Sequence, residues 1–434
     1  MPRPIAAVLT LGCKLNLADS EAIARRLSEA GFAVVDAPCA ADAFVINTCS
    51  VTHVADQKSR KLVRSMRRLA PGATVAVTGC FPQSAGEAAV RELGADLVAG
   101  TREADQAGLV AAIAGRAGTT TRGSAAGERG TTGLHVRAFI KAQEGCNDVC
   151  AFCIVPQTRG REESRDITSV ARDVQLAVDR GAREVVITGT QLGAWGRDLP
   201  VPLKPHHLIG GLLERTDVAR IRFSSLQPQD ITAELLGLWQ DPRLMPHFHL
   251  ALQSGSDATL SAMRRRYSRD EFIDAATRIA AAVPAAAITT DVIAGFPGES
   301  KADFEATLDL CREAGFARIH AFPYSPRAKT LAARMPDQIA PDEKQQRMAR
   351  LLALSGELAS AFGDRFVGAL RPVLWEELRS GAHGPELFGH TDNYLPVSAA
   401  GDAALVKEVT PVRLHRGADG ALRGEAISAD EVAR

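Results

Sequence analysis

Apolar and polar positions alternate with two different periods along the first 115 residues. Short apolar runs rich in β-branched residues predict buried strands, and apolar side chains at helical spacing predict helices between them. The predicted strands are residues 5–10, 44–47 and 74–78, and the predicted helices are residues 20–30, 56–69 and 85–93. Strands that alternate with helices form parallel sheets, so residues 1–115 are predicted to be an open parallel α/β domain.

The alternation resumes after a segment that has almost nothing to bury. Residues 116–133 are rich in glycine, serine and threonine, which predicts a linker. Residues 134–364 contain six strand-like runs separated by helical stretches, which predicts a partial (β/α)6 barrel rather than a closed one of eight units. Residues 365–434 are short β-like runs, one of them at 404–409, between glycine and aspartate turns. They predict a small antiparallel β domain.

Charge and composition add one expectation about partners and one about compartment. The chain carries 51 Lys+Arg against 51 Asp+Glu, so any contact with nucleic acid must come from local basic patches. No run of about eighteen apolar residues and no signal-peptide pattern occurs, so we expect a cytoplasmic protein without membrane contact. Eight cysteines in that compartment indicate metal or redox chemistry where their spacing is ordered. Cys39 and Cys311 lack such spacing and are expected to be ordinary thiols.

One cysteine motif is ordered over eight residues. The sequence EGCNDVCAFC places Cys146, Cys150 and Cys153 in a CxxxCxxC loop that follows a predicted strand. Thiolates at such spacing surround one metal centre. A structural zinc would need a fourth ligand, and the nearest downstream histidine is His206. Three ligands on a four-iron cluster leave one iron open, so we favour an iron–sulfur site over a zinc loop completed from elsewhere.

Three more cysteines follow strand ends in the first domain. Cys13, Cys49 and Cys80 lie in the motifs LGCKLNLADSE, INTCSVT and TGC. Carboxyl ends of parallel strands meet at one edge of a sheet, where ligands bind, so these thiols can converge. Taken alone, each is equally well read as a core thiol.

The CxxxCxxC loop, with Phe152 before its last cysteine, resembles the radical S-adenosylmethionine superfamily. The resemblance implies a 4Fe–4S cluster whose open iron binds S-adenosylmethionine, and a 5′-deoxyadenosyl radical as the reactive species. Combined with the three N-terminal motifs, the sequence is similar to the methylthiotransferase family along nearly its whole length. That family holds a second 4Fe–4S cluster on three such cysteines, so the likeness implies two clusters and sulfur insertion.

Further motifs that carry this resemblance imply residues near S-adenosylmethionine. The motifs are TGTQLGAWG, RFSSLQP, HLALQSGSD, TTDVIAGFPGE and FPYSPRAKT. The residues expected to contact the cofactor are Phe152, Gly189, Gln191, Ser224, Gln253, Asp291 and Tyr324. Two positions depart from many relatives: Gln227 replaces Glu and Gln157 replaces Tyr. Gln227 carries no charge, which puts any proton-accepting role there in doubt.

Family branches differ in substrate. INTCSVT, the following DQKSR helix and FPYS look most like the branch that methylthiolates C2 of N6-threonylcarbamoyladenosine at position 37 of tRNA. Sister branches act on N6-isopentenyladenosine of tRNA or on an aspartate of a ribosomal protein, and both stay open as alternatives. The resemblance also implies a sulfur donor and a low-potential electron donor as partners. Rival readings are a radical enzyme of other chemistry and a non-catalytic RNA-binding protein with a structural metal.

Two regions are candidates for RNA contact. The helix predicted at 56–69 is basic, with Lys58, Lys61, Arg64 and Arg68 as the candidate phosphate contacts, although a plain solvated helix is equally consistent. The C-terminal β domain resembles the TRAM domain, an RNA-binding module, and Tyr394 or Phe388 is the candidate for base stacking there.

Overall fold

The computed structural model describes residues 3–118, 136–381 and 384–426. Its first sheet has five parallel strands in the order β2-β1-β3-β4-β5. The strands are β1 (Ile5–Thr10), β2 (Ala33–Val35), β3 (Ala43–Thr48), β4 (Thr74–Gly79) and β5 (Leu97–Val98). The helices are α1 (Lys14–Glu29), α2 (His53–Leu69), α3 (Cys80–Ala85), α4 (Glu87–Arg91) and α5 (Glu103–Arg116). The predicted open parallel α/β fold is therefore confirmed.

Helices cover both faces of this sheet, which explains its continuous apolar strands. Ile23 and Leu27 of α1 pack with α5 on one face, and Val63 and Met66 of α2 pack with Phe81 on the other. The three central strands β1, β3 and β4 are consequently buried on both sides. Their carboxyl ends form one contiguous edge, and this edge is where the three N-terminal cysteines lie.

Six parallel strands in sequential order form the second sheet, a half-barrel. Its strands are β6 (Arg137–Lys141), β9 (Glu184–Thr188), β10 (Ile221–Leu226), β11 (Leu244–Leu250), β12 (Ala287–Ala294) and β13 (Arg318–Pro323), and a small hairpin is made by β7 (Gln143–Glu144) and β8 (Glu163–Ser164). Its helices are α6 (Val155–Thr158), α7 (Ile167–Asp179), α8 (Pro205–Arg215), α9 (Ala233–Gly237), α10 (Asp257–Ala262), α11 (Arg269–Ala282), α12 (Lys301–Ala314) and α13 (Pro341–Asp364). The predicted partial (β/α)6 barrel is confirmed.

A five-stranded closed barrel follows, in the order β14-β15-β16-β18-β17. Its strands are β14 (Leu370–Gly381), β15 (Gly384–Thr391), β16 (Pro396–Ala400), β17 (Val409–Arg416) and β18 (Leu422–Ala426). Neighbouring strands are antiparallel except β16 and β18, which close the barrel through a parallel pairing. The prediction of a strand at 404–409 is wrong for most of that segment, because β17 begins only at Val409. Asp402 accepts a hydrogen bond from the Ala404 N–H at 2.8 Å and starts a short 3-10 turn instead.

The first domain covers the open edge of the half-barrel. Strand β6 is an edge strand, and α1 packs against it. A side-chain oxygen of Glu21 accepts a hydrogen bond from the Phe139 N–H at 3.0 Å, in place of a missing neighbouring strand. Lys141 at the end of β6 donates to Asp19 of α1 at 2.6 Å and to Glu144 at 2.8 Å. This contact protects the edge and fixes the two sheets relative to each other.

The C-terminal barrel packs against the half-barrel at the amino ends of its strands. Glu184, fully buried at the start of β9, pairs with Arg137 and Arg222 through one oxygen and with Arg220 through the other. Burial alone would raise the pKa of Glu184, but the three guanidinium groups lower it to about 2. Arg222 also donates to the backbone carbonyls of Thr391 and Asp392, at 2.9 and 2.7 Å. The ion cluster therefore anchors one domain on the other.

Tyr394 inserts into this interface rather than facing solvent for base stacking. Its ring is stacked between His247 and His390, with centroid distances of 4.7 and 4.6 Å. The Arg137 and Arg222 guanidinium groups lie over the same ring, at 4.9 and 4.7 Å. Its expected role as a base-stacking residue is therefore wrong, because both of its ring faces are already occupied by protein.

The domain boundaries at 115, 133 and 364 stay predictions. The predicted linker 116–133 lies mostly outside the described residues, which resume at residue 136. In the described part of the chain, no helix has the length and apolarity needed to cross a membrane.

We predict that Glu21 makes the docking of α1 on β6 sensitive to pH. Burial raises its pKa from 4.5 to about 8, so the folded carboxyl stays protonated to higher pH than the unfolded one. Its contribution to stability is therefore full below about pH 4.5 and is lost as pH rises through about 8. Glu21→Gln keeps an acceptor for Phe139 without a titrating proton.

Denaturant unfolding at pH 6 and pH 8.5 checks this expectation. Wild type should lose more stability between the two values than Glu21→Gln does. Glu29→Gln is the matched control, because Glu29 lies on the same helix with its side chain 63% exposed. An identical loss in wild type and Glu21→Gln would contradict the assignment.

Candidate active site

Backbone hydrogen bonds fix the CxxxCxxC loop at the open end of the half-barrel. The Cys146 N–H donates to the Gly160 carbonyl at 3.1 Å, and the Ala151 N–H donates to the Met263 carbonyl at 3.0 Å. The Ala151 carbonyl in turn accepts from the Ala332 N–H at 2.8 Å. The loop is thus attached to three separate segments of the barrel, and its thiols have a defined orientation before any ligand binds.

Hydrogen-bond donors point at the sulfurs of this loop. The backbone N–H groups of Asp148 and Val155 reach the sulfurs of Cys146 and Cys153, at 3.3 and 3.4 Å. The Arg265 guanidinium reaches the Cys150 sulfur at 3.4 Å. Donors of this kind stabilise negative charge on sulfur, as a metal-bound thiolate requires.

Burial raises the pKa of Cys146 to about 11 and that of Cys153 to about 12. The metal-free loop therefore holds neutral thiols, which metal binding deprotonates. All three cysteines are free of disulfides. Among the described residues, no three His, Cys, Asp or Glu side chains are close enough to hold a single metal ion.

Gln191 lies directly beside this loop. Its side-chain oxygen accepts a hydrogen bond from the Cys146 thiol at 3.0 Å, and its backbone N–H donates to the Gln143 side chain at 2.9 Å. Gly189 packs equally tightly, since a Cβ there would lie 2.9 Å from Leu192 and 3.0 Å from the Gln143 oxygen. The TGTQLG turn is therefore adjacent to the cysteine loop, as its expected role near the cofactor requires.

Ser224 lies on β10 and Asp291 on β12, and Gln253 follows the end of β11 by three residues. The Ser224 hydroxyl donates to the Ile187 carbonyl at 3.1 Å, a hydrogen bond that links β10 to β9. Gln253 has a positive φ of 67° and pairs as an isolated bridge with Val292. The Asp291 carboxylate lies 3.2 Å from His249 Nε2.

The lumen of the half-barrel also contains polar residues that the sequence analysis did not predict to be near the site. His249 Nδ1 lies 3.1 Å from the Thr289 hydroxyl, and the His320 ring lies 5.8 Å from the His249 ring. Burial lowers the pKa of His320 to about 4, so this imidazole is neutral at physiological pH. These residues occupy alternate positions of β11, β12 and β13. That period-2 placement is the signal that could have identified them.

An aromatic cluster forms the other side of the cysteine loop. Phe296 contacts Phe152 and Tyr324 edge to face, with centroid distances of 6.5 and 5.6 Å. The Tyr324 hydroxyl is buried and has no hydrogen-bond partner among the described residues. A buried hydroxyl without a partner is costly, and a bound polar ligand would supply that partner. The donor set and this unpaired hydroxyl fit S-adenosylmethionine beside an iron–sulfur cluster.

The three N-terminal cysteines follow three neighbouring strands. Cys13 precedes α1, Cys49 follows β3 directly, and Cys80 is the first residue of α3. Gly12 has a φ of +119°, and a Cβ there would lie 2.9 Å from the Cys49 Cβ. The turns that carry Cys13 and Cys49 are therefore in close contact. This placement brings together the residues that the sequence separated by more than thirty positions.

Two asparagines hold these turns. The Asn16 amide donates to the carbonyls of Leu11 and Thr48, at 2.8 and 3.0 Å, and its oxygen accepts from the Cys13 thiol at 3.6 Å. The Asn47 amide donates back to the Asn16 carbonyl at 2.8 Å. Cys13 is exposed, whereas Cys49 and Cys80 are buried. Burial raises the pKa of Cys49 to about 11 and shifts that of Cys80 in the same direction.

The two departures from the family pattern have structural roles. The Gln227 amide donates to the Asp148 carboxylate at 3.4 Å, a contact in which a glutamate would place two like charges together. Asp148 also pairs with Arg266 at 3.0 Å. The Gln157 amide donates to the Lys329 carbonyl at 3.2 Å. Gln227 therefore positions the cysteine loop through Asp148.

Helix α2 begins four residues after Cys49, and its outer face is basic. The four predicted phosphate contacts Lys58, Lys61, Arg64 and Arg68 are all exposed. Arg67 is different, because it donates to the Gly94 carbonyl at 3.0 Å and pairs with Asp96. Arg60 is also exposed, with its guanidinium 5.1 Å from the Phe81 ring centroid, so the helix presents five exposed cations.

Comparison with known proteins gives two family matches. Residues 6–100 match the family described as "Uncharacterized protein family UPF0004", and residues 140–311 match the radical SAM superfamily. A Bacillus subtilis protein named threonylcarbamoyladenosine tRNA methylthiotransferase MtaB is 35% identical over 93% of this chain and 92% of its own. A Geobacter sulfurreducens protein named tRNA-2-methylthio-N(6)-dimethylallyladenosine synthase is 35% identical over 97% of each chain.

Among solved structures, a radical S-adenosylmethionine methyltransferase, TsrM, from Kitasatospora setae aligns with a TM-score of 0.54. It is 15% identical and covers 75% of this chain and 77% of its own, a likeness that shows the fold alone. Fold and cysteine loop thus define a radical S-adenosylmethionine enzyme, whose cofactors are S-adenosylmethionine and a 4Fe–4S cluster. At 35% identity over nearly its whole length, the chain belongs to the radical S-adenosylmethionine methylthiotransferase family, enzymes that transfer a sulfur-containing group.

We predict that Gly79→Ala disrupts the N-terminal cysteine site. Gly79 has a φ of +96°, and a Cβ there would lie 2.3 Å from the Thr48 carbonyl oxygen, beside both Cys49 and Cys80. The clash and the strained backbone should together cost about 3 kcal/mol or more of unfolding free energy. On the expectation that Cys13, Cys49 and Cys80 hold a second 4Fe–4S cluster, the iron bound per anaerobically reconstituted chain should fall by about half.

Gly86→Ala is the matched control for this variant. Its φ is +88°, but a Cβ there would meet nothing within 4 Å. It should cost only about 1–2 kcal/mol and leave the iron content unchanged. Equal iron loss in both variants would show that backbone strain, and not the contact with Thr48, is responsible.

Proposed function

We propose that the chain methylthiolates C2 of N6-threonylcarbamoyladenosine at position 37 of tRNA. The observation that carries this proposal is the presence, in one fold, of two cysteine triplets attached to domains that are in direct contact. The substrate is supported by the Bacillus subtilis relative, whose printed name gives threonylcarbamoyladenosine tRNA, at 35% identity.

Each triplet has a separate proposed role. Cys146, Cys150 and Cys153 hold the radical cluster, with Gln191 and Arg265 beside their sulfurs. Cys13, Cys49 and Cys80 hold a second 4Fe–4S cluster that binds the sulfur to be inserted. When bound, S-adenosylmethionine and the reduced cluster supply radical chemistry, and the chain itself orients the reactants and excludes water. Phe152, Phe296 and Tyr324 supply the apolar wall for that purpose.

The target base must leave the stack of its RNA loop to reach a buried site, which single-stranded loops permit at modest cost. The exposed cations Lys58, Lys61, Arg64 and Arg68 of α2 are the proposed phosphate contacts, since this helix starts next to Cys49. The five-stranded C-terminal barrel is a proposed second RNA contact. The sulfur donor and the low-potential electron donor stay predictions.

A second candidate substrate is N6-isopentenyladenosine at the same tRNA position. It is favoured by the Geobacter sulfurreducens relative, whose printed name gives dimethylallyladenosine and which matches 97% of this chain. The two substrates differ chemically, because one carries a threonyl carboxylate and the other an apolar prenyl group. A third possibility, the aspartate of a ribosomal protein, uses a macromolecule of a different class.

A direct assay distinguishes the three substrates. The reconstituted enzyme is given tRNA with threonylcarbamoyladenosine, tRNA with isopentenyladenosine, or the ribosomal protein, and products are identified by mass spectrometry. We expect the 2-methylthio derivative of threonylcarbamoyladenosine. Product from the prenylated tRNA alone would select the second substrate, and thiomethylation of protein but not of tRNA would overturn the proposal.

Cysteine variants test the division of labour between the two triplets. Cys49→Ala and Cys150→Ala should both abolish methylthiolation, but only Cys150→Ala should abolish formation of 5′-deoxyadenosine. Cys39→Ala is the control, since this half-buried thiol of the same domain belongs to neither triplet. Loss of 5′-deoxyadenosine in folded Cys49→Ala protein would count against two separate clusters.

A further inference from the structure

Arg159 is a buried arginine that reaches from the radical cysteine loop into the first domain. It follows Cys153 by six residues, and its backbone N–H donates to the Val155 carbonyl at 2.8 Å to end helix α6. Only 5% of the residue is exposed. A charge so deeply buried requires partners, and its partners here come from both domains.

Its guanidinium group lies between three elements, β7, α1 and α3. Nη1 donates to Glu144 of the half-barrel at 2.6 Å, and Nη2 donates to Asn16 and Asp19 of α1, at 2.7 and 3.1 Å. The guanidinium also lies close enough to the Cys80 thiol to lower its pKa against the effect of burial. The Asn16 oxygen that accepts from Arg159 also accepts from the Cys13 thiol. Arg159 thus reaches Cys13 through Asn16, and its charge acts on Cys80.

The surrounding charges make this guanidinium difficult to replace. Lys141 and Arg159 face Asp19 and Glu144, which is two cations against two carboxylates. Without Arg159, the group beside Cys80 would hold one uncompensated negative charge. In a site of low dielectric constant, that change makes the addition of an electron to a neighbouring cluster less favourable.

We propose that Arg159 is the positioning residue of the N-terminal cysteine site, which it orients and tunes from the radical cysteine loop. It holds the α1 terminus in place and keeps a compensating positive charge near the Cys80 thiol. The inference rests on the proposed function, because it assumes a cluster on Cys13, Cys49 and Cys80. It adds a direct physical connection between the two cluster sites.

The test is a potentiometric titration of the reconstituted enzyme followed by electron paramagnetic resonance. The variants are Arg159→Gln, which removes the charge, and Arg159→Lys, which keeps it with fewer donors. A chain with Cys13, Cys49 and Cys80 all changed to alanine identifies which signal belongs to the N-terminal cluster. Iron content and unfolding midpoint are measured in parallel.

Arg220→Gln is the matched control. Arg220 is also 5% exposed and also pairs with a buried carboxylate, Glu184, but it lies at the opposite end of the half-barrel. It should destabilise the fold as much as Arg159→Gln without changing the N-terminal cluster. A general loss of stability is thereby separated from a local effect.

We expect Arg159→Gln to move the midpoint potential of the N-terminal cluster to a lower value, with a smaller shift in Arg159→Lys and none in Arg220→Gln. If Arg159→Gln cannot retain that cluster, about half of the iron is lost while 5′-deoxyadenosine formation continues, which supports the same role. A retained cluster at unchanged potential in both Arg159 variants overturns the inference, as does an equal shift or equal iron loss in Arg220→Gln.

Failure of the proposed function gives a different result. The unsubstituted chain would then show no signal that disappears when Cys13, Cys49 and Cys80 are changed to alanine. That outcome removes the second cluster, and the inference with it, before any arginine variant is compared.

Discussion

The buried polar contact between α1 and the edge of the half-barrel is the constraint on which the candidate site depends. Asp19, Lys141, Glu144 and Arg159 form one hydrogen-bonded ion network between the two domains. Such networks contribute little stability when every charge is paired, but a missing partner costs several kcal/mol, typically about 3–5. The network therefore fixes the orientation of the two domains more than it adds to the stability of the fold. Because it holds α1, it also holds the cysteine-bearing turn that precedes α1.

A second contact joins the half-barrel to the C-terminal barrel, and it lies away from both cysteine sites. At the amino ends of the half-barrel strands, Glu184 pairs with three arginines, of which Arg222 donates to the Asp392 carbonyl. Tyr394 stacks there with His247 and His390. Parallel strands place their ligand sites at the carboxyl ends, so the opposite end is free for structural use. The same six strands therefore hold the C-terminal barrel at their amino ends and the candidate active site at their carboxyl ends.

Arg327 shows how far the interface extends. It belongs to the segment after β13, yet its guanidinium donates to Ser50 and Asp56 of the first domain, at 3.0 and 2.8 Å. Ser50 follows Cys49 directly, so a half-barrel side chain reaches this second cysteine turn as well. Arg159 and Arg327 thus contact the N-terminal domain from two separate half-barrel segments. The relative position of the two cysteine triplets is consequently fixed by long side chains rather than by backbone.

The sequence by itself determined the alternation of strands and helices and the central strands of the first domain, because periodicity is a local property. It also allowed Cys13, Cys49 and Cys80 to share one sheet edge, and the structure showed that their three strands are neighbours. Only the tertiary structure decided which polar side chains face each other. Tyr394 was misassigned for that reason, because its stacking partner His247 lies far away in the sequence. The 404–409 segment was misassigned for a different reason, because the apolar pattern there hid a local turn that Asp402 caps. No periodic pattern in the sequence marks Arg159 as a functional residue. Its role depends on contacts with residues far away in the sequence, such as Asn16, which is 143 positions away.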